Sequence, residues 1–108
     1  MLGVKARDLI MAPDADLVVS AATWWELAIK HSLGRLDINF REARESLEAR
    51  EVKMLPVSFS HAEAAADLPP IHRDPFDRML VAQAATEHLV LLTRDSQLAA
   101  YGRMVLLA

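Results

Sequence analysis

Glu26, Asp77 and Asp95 are the carboxylates whose positions invite chemistry. Glu26 lies on the second turn of the helix expected after Leu17-Val18-Val19-Ser20. Asp95 follows directly on Leu91-Leu92-Thr93-Arg94. Asp77, with Asp74 beside it, falls in the first turn of a further helix. Convergent carboxylates in a chain with no cysteine and four histidines favour a hard cation, Mg2+ or Mn2+. Such an ion activates water and stabilises the charge that develops in phosphodiester cleavage. One carboxylate holds the ion poorly, so this reading requires at least three.

Each acid also has a structural role open to it. Glu26 and Lys30 are spaced i,i+4 in the favoured orientation for a surface ion pair. Asp74 is a good helix N-cap, and Asp95 suits the cap of a helix starting at Ser96. Asp77 in a first turn favours the helix dipole. The histidines, His31, His61, His72 and His88, show no metal-ligand spacing, and each reads as solvated surface. His72-Arg73 precedes the acidic turn, where it would meet a phosphate or serve as a polar loop. The only glycines are Gly3, Gly34 and Gly102, so there is no phosphate-binding glycine loop. Ser58 and Ser60 lack the surroundings of a hydrolase nucleophile. Trp24 and Trp25 point about 100° apart on a helix, which predicts one in the core and the other at a helix–helix contact.

The elements that must position these side chains alternate between strand and helix. A helix is expected over Val4–Met11, ended by Ala12-Pro13-Asp14. Leu17–Ser20 is a short β-branched strand, and Ser20 caps a helix from about Ala21 to Leu33 that Gly34 stops. Arg35–Ile38 connects to a solvated outer helix over Asn39–Arg50, with Phe40, Ala43 and Leu47 on one face. A strand follows at Val52–Val57. Ser60-His61-Ala62-Glu63 reads as a capping box for a helix to Leu68, broken by Pro69-Pro70. Asp74-Pro75-Phe76-Asp77 opens a helix to about His88. Leu89–Thr93, a short helix over Ser96–Tyr101 and Met104–Leu107 complete the chain. Continuous apolar strands alternating with helices predict an α/β fold with a parallel sheet covered on both faces. Ligands of such sheets bind beyond the carboxyl ends of the strands, where Glu26 and Asp95 fall.

The 108 residues suit a single domain spanning 1–108. The chain is 53% hydrophobic, enough to support a core and to exclude general disorder. Its net charge of −3 gives no overall electrostatic attraction to nucleic acid, which leaves any such contact to a local patch. Without cysteine, disulfides and thiolate chemistry are excluded. No stretch approaches the roughly 20 apolar residues of a membrane span. The first ten residues lack the apolar run of a secretory signal, so a cytoplasmic location with no membrane partner is expected.

Three blocks bring a family into view. They are Val18-Val19-Ser20-Ala21-Ala22-Thr23-Trp24-Trp25-Glu26-Leu27-Ala28-Ile29-Lys30 with Gly34-Arg35-Leu36, then Leu68-Pro69-Pro70-Ile71-His72-Arg73-Asp74-Pro75-Phe76-Asp77-Arg78-Met79-Leu80-Val81-Ala82-Gln83-Ala84, and finally Leu91-Leu92-Thr93-Arg94-Asp95. In order and spacing, over nearly the whole chain, they resemble the PIN-domain toxins of the VapC type. The resemblance implies a three-layer αβα fold around a central parallel sheet. It also implies a Mg2+-dependent endoribonuclease, with Mn2+ as the alternative ion, acting as the toxin of a type II toxin–antitoxin pair. Glu26, Asp77 and Asp95 match the family's catalytic metal-binding acids, and Asp74 matches a further acid of the D-P-F-D subgroup. The implied partners are an RNA substrate, a cognate antitoxin whose C-terminal segment covers the acids, and a second copy of the chain in a homodimer.

The resemblance carries one departure. The family begins with a strand ending in Asp, followed by a helix, and nothing like it precedes Leu2-Gly3-Val4-Lys5-Ala6-Arg7. By comparison about twenty residues are missing, one strand and one short helix. The strand is central in the family's order 3-2-1-4-5, and its acid is a principal metal ligand. The expectation is therefore an N-terminally truncated domain with impaired ribonuclease activity. The alternative is a catalytically inactive module that only dimerises or binds an antitoxin. A receiver-like signalling domain ranks last, because no lysine follows a late strand in the position such a domain requires.

Overall fold

The computed structural model describes residues 17–93, 95–102 and 105–107. The helix expected over Val4–Met11 and the residue Arg94 lie outside them. The fold is α/β, built from helices and short parallel strands. It gathers into two compact units, one holding residues 17–56 and the other the described residues from Val57 onward.

The first unit runs strand, helix, helix, strand: β1 (Val18–Ser20), α1 (Ala21–Ser32), α2 (Phe40–Ala49) and β2 (Lys53–Leu55). Ser20 ends β1 and caps α1 at once. Its backbone is extended, and its Oγ accepts the Ala22 amide at 3.0 Å. Gly34 ends α1 with φ +72°, a conformation that glycine adopts without a steric penalty. The Gly34 and Arg35 amides there return to the His31 and Lys30 carbonyls. Asn39 Oδ1 caps α2 through the Glu42 amide. As expected of an outer helix, α2 buries none of its residues. The strands pair in parallel, Val18 opposite Lys53 and Ser20 opposite Leu55. The tryptophans meet expectation in one part, the helix–helix contact, and depart from it in the other. Trp24 is half-buried with its ring edge-on to Phe40 at 5.5 Å, bridging α1 and α2, while Trp25 is exposed. Neither enters a core, because this unit fully buries only Ser20 and Ala22 among its described residues.

The second unit holds α3 (Phe59–Asp67), α4 (Pro75–Thr86), β3 (Leu91–Thr93), a 3-10 helix (Ser96–Tyr101) and β4 (Val105–Leu107). Its core lies along α4. Val81, Ala82, Gln83 and Ala84 are buried in succession, and four consecutive residues step around most of a helix's circumference. α4 is therefore enclosed by its neighbours α3, β3 and the 3-10 helix, whose Leu98 is fully buried. β3 and β4 pair in parallel, Leu91 opposite Val105.

Two expectations change here. The capping box forms at Ser58 and His61, not at Ser60 and Glu63. Ser58 Oγ accepts the His61 amide at 3.2 Å, and the Ser58 amide donates to His61 Nδ1 at 3.0 Å. His61 is accordingly buried rather than solvated, its Nε2 lying 3.3 Å from Glu87 Oε1 at the end of α4. The described strands form two two-stranded parallel sheets, β1-β2 and β3-β4.

Candidate functional site

The loop after α3 and the start of α4 carry the site. Asp74 caps α4 with one oxygen, its Oδ1 accepting the Phe76 amide at 2.8 Å and the Asp77 amide at 3.2 Å. Pro75 follows at the first helical position, where its missing amide proton costs nothing. This start sets Asp77 in the first turn. Asp95 comes from the other side, directly beyond β3. Its amide donates to Thr93 Oγ1 at 3.1 Å, and its Oδ1 accepts the Gln97 amide at 2.9 Å. With Oδ1 engaged in that cap, Oδ2 turns to His72, whose Nε2 lies 2.9 Å away. The same Nε2 lies 3.7 Å from Asp77 Oδ2.

His72, Asp77 and Asp95 thus bring one ligand atom each to within 4.8 Å of one another. The imidazole is mostly enclosed, with 14% of its side chain exposed, and the carboxylates are at 30% and 37%. The two carboxylate oxygens are hard donors of the kind a divalent cation takes, and they supply two of the three carboxylates such a site requires.

The backbone of His72 is pinned on both sides. Its amide donates to Tyr101 Oη at 3.0 Å, and its carbonyl accepts from Arg78 Nη1 at 3.4 Å. Tyr101 Oη also donates to the Pro69 carbonyl at 3.1 Å. Arg78 goes on to the carbonyls of Pro69, Ala65 and Leu68. A phenol and a guanidinium therefore stitch the end of α3 and the loop after it to α4 and the 3-10 helix.

Of the acids read from sequence, Asp77 and Asp95 come together. Asp74 serves as the helix cap beside them. Glu26 belongs to the first unit, where it pairs with Lys30 at 3.9 Å, as the i,i+4 spacing predicts. His72 is the member the histidine pattern missed, and it is not solvated surface. The available signal was its place two residues before the Asp74 cap. Arg78 and Tyr101 carried no sequence signal of this role, because their partners are backbone atoms brought together by folding.

The PIN domain family model matches residues 2–104. This chain belongs to the PIN domain family. No curated protein and no solved structure matches it. PIN domains are in general metal-dependent nucleases acting on RNA or DNA, which gives the paired aspartates a chemical context. Among the described residues of this PIN domain, no helix is long and apolar enough to cross a membrane.

Proposed function

We propose that this PIN domain is a Mg2+-dependent endoribonuclease, with Mn2+ as an alternative ion, and the toxin of a type II toxin–antitoxin pair. The observation that carries the nuclease reading is the meeting of Asp77 Oδ2 and Asp95 Oδ2 around His72 Nε2, from two separate elements. Asp77 and Asp95 are the proposed holders of the cation. Asp74 fixes the start of α4 and so the direction of Asp77. The Gln97 amide on Oδ1 holds the rotamer of Asp95, and Thr93 Oγ1 holds its backbone amide. Glu26 is proposed as a further acid of the reaction on its family motif. A bound divalent cation supplies an activated water and charge stabilisation for phosphodiester cleavage. Arg73, exposed next to His72, is proposed to meet a backbone phosphate of the substrate. The toxin role, with an antitoxin as protein partner, rests on the blocks around Glu26, Asp77 and Asp95.

The test is RNA cleavage by the purified chain with Mg2+, with Mn2+ and with chelator, beside Asp77→Asn. Cleavage is expected only with metal. Loss of a neighbour of a metal ligand typically costs 10- to 100-fold, so Asp77→Asn, which removes a ligand, should lower the rate by about 100-fold or more. Equal cleavage by the variant, or cleavage that survives chelation, overturns the reading. Metal binding without cleavage of any RNA would favour a module that only binds its partners.

A further inference from the structure

The neighbours of His72 decide where its ring proton sits. The Asp74 backbone amide, which can only donate, lies 3.1 Å from Nδ1. Nδ1 must therefore present a lone pair, and the proton of the neutral ring belongs on Nε2. From there it is donated to Asp95 Oδ2 at 2.9 Å, with Asp77 Oδ2 3.7 Å away. A cation shared by Asp77 Oδ2 and Asp95 Oδ2 would compete with this N–H for the same oxygens. For His72 to join as a ligand through Nε2, the proton would have to move to Nδ1. That would set N–H against N–H at Asp74, in the turn that starts α4. Displacement avoids that clash. The His72 backbone is tied to Tyr101 and Arg78 whatever the ring does, and a ring that turns away gives up its hydrogen bonds to Asp95 Oδ2 and from the Asp74 amide.

We propose that His72 is a resident plug of the cation site, holding Asp95 and facing Asp77 when no metal is bound and swinging out, rather than ligating, when a divalent cation enters. The proposal rests on the reading of Asp77 and Asp95 as cation holders. It gives the site a threshold: the cation must replace a hydrogen bond to a carboxylate before it binds.

Calorimetric titration with MgCl2 and with MnCl2 tests it on the full chain, His72→Ala, His72→Phe and Asp77→Asn. Both His72 variants are expected to bind on the order of tenfold more tightly, the scale of one hydrogen bond to a charged group. Unchanged or weaker binding in both overturns the plug, and weaker binding marks His72 as a ligand. If the unaltered chain binds metal and Asp77→Asn does not, the cation site stands whatever the His72 variants do. If neither metal binds any of the four proteins, the site and the plug fall together. Long-range nitrogen–proton NMR of the unaltered imidazole gives a second readout that needs no variant. Nε2 should carry the proton without metal and keep it on addition of Mg2+, with faster exchange with water. Loss of the Nε2 proton on adding Mg2+ overturns the proposal.

Discussion

Arg78 donates to four backbone carbonyls and to one phenol oxygen, and this explains why a loop carrying two prolines holds His72 in place. A lysine has a single ammonium and cannot reproduce the planar fork that spans Ala65 on one side and Pro69 and His72 on the other. Carbonyls left without a donor cost about 1–3 kcal/mol. Arg78→Lys should therefore lower the melting temperature by about 4 °C or more, since 1 kcal/mol moves a domain of this size by about that much. Tyr101→Phe, which removes the oxygen between His72 and Pro69, should cost about 1 kcal/mol. Thermal unfolding followed by circular dichroism measures both, and an Arg78→Lys protein melting with the unaltered chain would refute this account of the loop. Asp74 and Asp77 were legible in the sequence because an N-cap, a proline and a first-turn acid obey local rules. His72 was not, because the residue that gives it meaning, Asp95, arrives from 23 positions away through folding.

At the scale of elements, local rules found the helices and the short strands, and tertiary contacts settled their ends. Ser58 and Ser60 are both fit to cap α3. The register is decided by His61, whose ring closes the capping box and beds against Gln83 and Glu87 of α4. No pattern in residues 58–63 reveals that α4 waits on the other side. α4 likewise stops at Thr86, short of the expected His88, which takes φ +55° as the chain turns toward β3. The two kinds of helix should differ in their opening. α2 buries no side chain, whereas α4 buries four in a row. Backbone amides of Arg44–Ala49 are expected to exchange with deuterium at least about tenfold faster than those of Val81–Ala84, because local opening exposes little in the first and much in the second. Equal protection in a residue-resolved exchange experiment would contradict this ranking of the helices.

For the whole molecule, the proposed homodimer has a physical motive in apolar side chains left in water. Phe59 is 90% exposed, Trp25 64% and Val90 58%. Light scattering at high micromolar concentration should return the mass of two chains, and a monomer mass would end that proposal. The two parallel pairings carry a further consequence, for the route by which the chain folds. Closing β1 on β2 brings Val18 to Lys53, while closing β3 on β4 brings Leu91 to Val105. The first loop is about two and a half times longer, which adds about 0.8 kcal/mol of chain entropy to its closure. The C-terminal pairing, with the shorter loop, is therefore the faster to form in a chain released from denaturant. On the ribosome the order of availability is reversed: Val18 and Lys53 emerge and are free to pair before Val105 has been synthesised. Refolding in the test tube and folding during translation should thus begin at opposite ends of the same protein.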